Sequence, residues 1–285
     1  MKMIYDRKSG TCYEQEQYGG KILKFLYNNA LGRMFLRLAV SKTVSKICGK
    51  YYSSALSKKK IEPFINKYKI DMRPYENRQY NSFNDFFTRK KVNLNFEFDN
   101  MDFISPADSK LTVYEISDKL EIPVKNSVYT LNELTSETKV SDCFKGGYCF
   151  VFRLSMDDCH RYCYIDDGKL IKSRLINGKL HTVSSISDAR KVFCENTRRV
   201  SFLNTDNFSE VVCVEVGAML VGRMSDSEKT EFKKGEEKGY FELGGSTIII
   251  LTQKKIKIDD DILKCSKNGV ETKVEYAQRI GEKIC

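Results

Sequence analysis

The chain has 285 residues, with 41% hydrophobic residues, 12% aromatics, 17 glycines and only 4 prolines. That is enough for one large globular domain or two, and it excludes a collagen-like or low-complexity chain. The formal net charge of +10 is compatible with nucleic acid, an anionic membrane or an acidic substrate, so the position of the charge has to decide.

The opening residues Met1 to Asp6 lack the apolar core of a signal peptide. The ten cysteines include no C-x-x-C pair, which points to reduced thiols in a cytoplasmic setting and not to a disulfide framework. Cys159 and Cys163 flank His160, but a fourth ligand at zinc spacing is missing and no metal is expected.

Residues 1–20 form a short polar lead with hairpin character, closed by Gly19-Gly20. Over residues 21–60, Ile22, Leu23, Phe25, Leu26, Leu31, Met34, Phe35 and Leu38 recur at helical spacing, interleaved with lysine and arginine. Residues 17–61 contain no Asp or Glu. A one-signed polar face of this kind suits a helix lying on anionic lipid, and it equally suits a core-facing helix with a solvated basic face. No nucleic-acid motif accompanies the charge, so nucleic acid is not an expected partner. No apolar run approaches the ~20 residues of a spanning helix, which leaves a peripheral membrane association. Residues 61–90 read as a further helical stretch broken at Pro74.

From about residue 100 short β-rich runs alternate with turns. The runs are Cys149 to Leu154, Val211 to Val216 and Ser246 to Thr252; turns fall at Lys145-Gly146-Gly147, Asp166-Asp167-Gly168 and Asn177-Gly178. The expected fold is α+β, with basic membrane-associating helices in residues 1–95 and a mainly β, barrel-like catalytic domain in residues 96–285.

The run Gly244-Gly245-Ser246-Thr247 leads straight into Ile248-Ile249-Ile250. One account is a tight turn into a strand. The other is self-cleavage. Gly244 and Gly245 permit backbone conformations closed to other residues, and a hydroxyl pressed on the preceding carbonyl can attack it if a base takes its proton. The Gly245–Ser246 amide would become an ester, and elimination with loss of ammonia would leave a pyruvoyl group at residue 246. Only His160 and His181 are histidines, so general bases are scarce. His181 reads as structural or surface; His160 is the candidate for a catalytic role.

Four segments stand in order: Phe86-Phe87-Thr88-Arg89, Ser105-Pro106-Ala107-Asp108, Asp158-Cys159-His160-Arg161 and Gly244-Gly245-Ser246-Thr247, with Val214-Glu215-Val216-Gly217-Ala218 before the last. Together they resemble the phosphatidylserine decarboxylase family, over nearly the whole chain. The resemblance implies self-cleavage between Gly245 and Ser246, and a pyruvoyl cofactor that forms a Schiff base with the substrate amine and serves as electron sink. It implies phosphatidylserine in an anionic membrane as substrate, phosphatidylethanolamine and carbon dioxide as products, a homodimer of processed subunits, and a place on the cytoplasmic face of the cell membrane. By the same resemblance Asp108 is the acidic member of a charge relay and His160 serves the decarboxylation step, with Asp158, Gly244 and Thr247 in support.

The chain departs from the family at His160-Arg161-Tyr162-Cys163, where the usual spacing is His-x-x-His, so Cys163 replaces the histidine that activates the serine. Three outcomes stay open. His160 serves both steps, or a Cys163 thiolate acts as base beside a cation, or maturation is impaired and the chain is a lipid-surface binding homologue. A smaller departure is Val124-Lys125-Asn126, where the family places glycine after the lysine. A decarboxylase of a soluble amino acid is a rival that the acid-free helix disfavours.

Overall fold

A computed structural model describes residues 2–15, 19–92, 94, 96–124, 127–182, 191–218, 224–226, 229–244, 246–253 and 256–284. Lys125 and Asn126 therefore lie outside the described residues, as does Gly245.

The N-terminal lead is a hairpin, Lys2–Asp6 against Thr11–Gln15, with Gly10 at φ 67° in its turn. Lys2–Asp6 also pairs in parallel with Glu271–Val274, so the two ends of the sequence share one sheet. The predicted helical stretch is divided by its own capping residues. Helix Gly20–Asn28 stops at Asn29, whose side chain accepts from Leu31 N and starts Ala30–Ala39. Ser41 does the same for Lys42–Tyr52 by accepting from Val44 N. Of the apolar residues at helical spacing, Ile22, Leu31, Met34, Phe35 and Leu38 are each more than half exposed, whereas Leu36 and Val40 are buried. The apolar stripe of these helices therefore faces outward, away from the core.

Beyond residue 60 the helical expectation holds only in part. Helix Ile61–Tyr68 ends at Lys69, which takes φ 51°, and helical structure returns only at Phe83–Phe87, capped by Ser82. These elements enclose a second apolar cluster of Phe64, Tyr80, Phe83, Phe86, Phe87 and Leu243.

The main sheet has ten strands. Their order is Glu231–Phe232, Gly168–Ile176, Arg198–Thr205, Ser209–Gly217, Ser246–Thr252, Tyr148–Leu154, Ser109–Glu115, Glu271–Val274, Lys2–Asp6 and Thr11–Gln15. The order runs from one free edge to the other, which corrects the barrel-like expectation: the sheet is open, with a mixed α+β surround. Alternating and apolar-run patterns define strands, but closure depends on whether the edge strands pair, and no local pattern encodes that. Ser246–Thr252 lies at the middle and is buried at every position. Its β-branched Ile248, Ile249 and Ile250 suit a strand covered on both faces. No helix among the described residues is long and apolar enough to cross a membrane.

Candidate active site

Ser246 opens the central strand. It lies opposite Leu154 on one neighbour and Gly217 on the other, and it is fully buried. Two hydrogen-bonded partners hold its backbone, so only the chain on its N-terminal side can be strained. Gly244 there takes φ 143°, a backbone region open to glycine. Leu243 N donates to Asn84 Oδ1 at 3.0 Å, which ties the approach to the short Phe83–Phe87 helix. Gly245 itself is not among the described residues.

His160 follows a turn, Ser155 to Cys159, that leaves the strand Tyr148–Leu154 next to Ser246. Its Nδ1 lies 3.1 Å from Ser246 Oγ, and its Nε2 lies 2.9 Å from the Ser155 carbonyl oxygen. A carbonyl only accepts, so Nε2 carries the proton and Nδ1 presents a lone pair to the serine hydroxyl. Phe87 packs on the imidazole at 4.2 Å between ring centroids. Burial is the main cause that pushes the His160 pKa down to about 3, with the Arg89 charge adding to it. The ring is thus a neutral proton acceptor in a dry site.

Ser155 is held on several sides. Its N–H donates to Asp158 Oδ2 at 2.7 Å, and its hydroxyl accepts from Arg153 Nη1 at 3.1 Å. The imidazole is not among the hydrogen-bond partners of Asp158 within the described residues; Asp158 takes Lys110 Nζ at 2.7 and 2.8 Å on its two oxygens. Burial pushes the Asp158 carboxyl up to about 6 against the pull of Lys110. Burial also works to lower the Lys110 pKa, but Asp158 and Asp157 together hold it above the usual lysine range. The pair is ionised near neutrality.

Asp108 stands in a different group. Its Oδ1 accepts from Lys91 Nζ at 2.7 Å and from Tyr276 N at 2.8 Å. Neither His160 nor Ser246 is among its hydrogen-bond partners within the described residues. Cys163 shares this neighbourhood: its N–H donates to the Pro106 carbonyl at 2.9 Å, its thiol faces the Ser105 carbonyl at 3.9 Å, and it lies beside the Tyr276 hydroxyl. Burial pushes the thiol up to about 12, the opposite direction from a thiolate base. Thr247 is buried one residue beyond Ser246, on the other face of the strand by alternation, and its Oγ1 has no hydrogen-bond partner among the described residues. His181 is buried and bonded through Nδ1 to Tyr27 Oη at 3.1 Å, which fits its structural reading.

The structure thus joins Ser246 and His160, sets Asp158 one step behind them, and places Asp108 and Cys163 apart. Sequence reasoning missed Ser155, which acts through its main chain and so leaves no residue-type signal. It also missed Lys110, a single lysine inside a strand. The arrangement can carry a proton from a serine hydroxyl to a neutral imidazole in a water-poor site, as acyl transfer from a preceding carbonyl requires.

Comparison with known proteins gives an independent result. A family model described as phosphatidylserine decarboxylase matches residues 83–282. A relative from Clostridium acetobutylicum, named phosphatidylserine decarboxylase proenzyme 2, is 51% identical over 284 residues, 98% of each chain. Proteins named phosphatidylserine decarboxylase proenzyme from Clostridium tetani and Clostridium perfringens are 40% and 39% identical, over 100% and 99% of this chain and 99% and 100% of their own.

Proposed function

The chain belongs to the phosphatidylserine decarboxylase family, and from that premise we propose that it is a proenzyme that cuts itself between Gly245 and Ser246 and then converts phosphatidylserine to phosphatidylethanolamine and carbon dioxide. The observation that carries this is the Ser246 Oγ to His160 Nδ1 contact at 3.1 Å, with the far nitrogen of the ring fixed on Ser155.

The cleavage follows from the residues present. His160 Nδ1 takes the hydroxyl proton as Ser246 Oγ bonds to the Gly245 carbonyl carbon. The C–N bond then breaks, and the imidazolium returns its proton to the leaving nitrogen, so an ester replaces the amide. Loss of the Ser246 α-hydrogen expels the ester oxygen with Gly245 as its carboxylate, leaving a dehydroalanine. Tautomerisation and one water release ammonia and give the pyruvoyl end. That group needs no more room than the serine it comes from, and the buried position of Ser246 beside a neutral imidazole and Phe87 suits a carbonyl kept from bulk water. Its ketone supplies the electron sink for loss of the substrate carboxylate.

Cys163 does not disable this route, because His160 already reaches the hydroxyl and the thiol is held protonated. The alternative of an impaired lipid-binding homologue has no observation in its favour. Phosphatidylserine would be met at an anionic bilayer on the cytoplasmic face. The acid-free basic stretch and the outward apolar residues of helices Gly20–Asn28 and Ala30–Ala39 support that placement. Pairing of processed subunits as a homodimer rests on the family resemblance.

Intact mass of the purified, denatured protein tests the proposal. Two chains, one ending at Gly245 and one blocked by a pyruvoyl group at residue 246, are expected, together with carbon dioxide release from phosphatidylserine vesicles. A single chain of full mass from the wild type, or two chains from Ser246→Ala, would overturn it.

A further inference from the structure

Arg89 is fully buried, and no carboxylate pairs with it among the described residues. Its Nη2 donates to the Asp157 carbonyl at 3.1 Å and lies 3.4 Å from that of Asp158. Its Nε and Nη1 have no acceptor among the described residues. Of the other buried cations, Lys110 has Asp158, Lys238 has Glu215 and Arg153 has Glu271, and Arg198, which has no carboxylate among the described residues, places all three of its nitrogens on carbonyls and Ser136 Oγ. A buried charge without a counter-ion costs several kcal/mol. The faces of the guanidinium are covered by Tyr75 and Phe86, with ring centroids 4.6 and 4.9 Å away, so the open donors point outward in its plane, one on each of the two edges that share Nη2.

The position of this guanidinium relates it to the reaction. The carbonyls that fix Arg89 belong to the turn that carries His160, and Cys159 Sγ donates to the Arg89 carbonyl at 3.5 Å. The adjoining Phe87 ring packs on His160. On the other side, Phe86 belongs to the apolar cluster of Phe64, Tyr80, Phe83 and Leu243, to which the helix Ile61–Tyr68 contributes Phe64. Arg89 therefore stands between the reacting serine and an apolar wall.

We propose that Arg89 is the headgroup-anchoring residue, taking the phosphodiester of a phospholipid on its open in-plane donors while the acyl chains leave along the apolar cluster. This rests on the phosphatidylserine reading. The substrate has two anions, and the choice between them follows from where charge moves. The carboxylate loses its charge into the electron sink, so a guanidinium on it would stabilise the ground state over the transition state. The phosphodiester keeps its charge throughout and is a few bonds from the reacting carbon. Ser246, His160 and Arg89 are all buried in the uncut chain.

The test uses Arg89→Gln and Arg89→Lys, with intact mass, KM and kcat for dihexanoyl phosphatidylserine in solution, and calorimetric binding of glycerophosphoethanolamine to the processed protein. Both variants are expected to split into two chains. In the glutamine variant KM should rise roughly 10- to 100-fold, the worth of a charge-assisted hydrogen bond, with a smaller change in kcat. The lysine variant should fall between, and glycerophosphoethanolamine binding should weaken in the same order. An unchanged KM in Arg89→Gln overturns the proposal, as do variants that stay uncut, which would make Arg89 a folding or maturation residue. If the processed wild type has no turnover, the substrate reading fails, and the binding series alone decides the phosphate site: loss in Arg89→Gln supports it and equal binding removes it.

Discussion

Ser246 and His160, 86 residues apart in sequence, meet through one hydrogen bond of 3.1 Å at the edge of the central strand. The imidazole is oriented by a main-chain carbonyl and not by a carboxylate. A carbonyl fixes the tautomer but lends no negative charge to the imidazolium that forms. The base is therefore positioned well and stabilised little, and cleavage should depend on His160 itself. His160→Gln keeps a donor for Ser155 but loses the base. It should slow appearance of the two chains at least about 100-fold after cell-free synthesis, followed by intact mass. Splitting at the wild-type rate would remove His160 from maturation.

The pH dependence has a definite sign. The neutral ring is the acceptor form, and a pKa near 3 keeps it neutral where a free histidine protonates. His160 should give the cleavage rate no step at about 6.5. An acid limb near pH 6 would belong to Asp158, whose carboxyl titrates at about 6; its protonation weakens both the Lys110 pair and the acceptor for Ser155 N. Asp158→Asn should then cleave more slowly but with a rate level between about pH 5 and about pH 8. An acid limb that survives in that variant would assign the titration elsewhere.

Stability follows the same shifts. His160 is depressed, so its contribution is full above its unfolded value of 6.5 and is lost as pH falls toward about 3. Asp158 is raised, so its contribution is present below its unfolded value of 3.8 and is lost as pH rises through about 6. The native state of Asp158→Asn should therefore lose less stability than wild type between about pH 4 and about pH 6 in urea melts.

Cys163 is the residue that the family pattern makes suspect, yet its buried thiol is pushed up to about 12. A thiol held protonated is no base, so Cys163→Ala should cleave within about threefold of wild type, a difference well under one kcal/mol. A drop of two orders of magnitude would restore the thiol to the mechanism.

Much of this site was legible beforehand. The glycine pair, the hydroxyl and the apolar run located Ser246 and its strand, because both signals are local. The pairing of His160 with Ser246 was legible only in part, since scarcity of histidines names candidates without placing them. The family motif marks Asp108 as a relay acid, but which base it faces depends on how the strand Ser109–Glu115 is stacked in the sheet. Ser155 and the isolation of Arg89 could not be read at all: one works through its backbone and the other through what is missing around it. The same limit explains the open sheet, because the parallel pairing of Lys2–Asp6 with Glu271–Val274 joins residues from opposite ends of the chain.

Lys238 Nζ and Glu215 Oε1 lie 2.6 Å apart, both within the core. They join the central sheet at Ser209–Gly217 to the strand Glu237–Phe241 that leads into the cleavage turn. Breaking such a pair strands a charge, so Lys238→Met should cost about 3–5 kcal/mol in urea melts, whereas adding Glu215→Leu should recover much of the loss. A single variant as stable as wild type would show that the pair is not sealed from water.

The helices make a separable prediction about where the enzyme works. Met34 and Leu38 are 61% and 63% exposed on a stretch with no acidic residue. If that face lies in the bilayer interface, each side chain is worth roughly 1.5–3 kcal/mol of burial there. Met34→Glu with Leu38→Glu should lower partition onto phosphatidylserine vesicles by about 100-fold or more in flotation assays. Added salt separates this from simple charge attraction, because screening weakens the lysine and arginine contribution and leaves the apolar one. The side chains are largely exposed, so the double variant should still split at Gly245 and still turn over short-chain phosphatidylserine in solution. Flotation equal to wild type would mean that another surface meets the lipid. Failure to split would mean that the outward face is part of the fold and not a membrane contact.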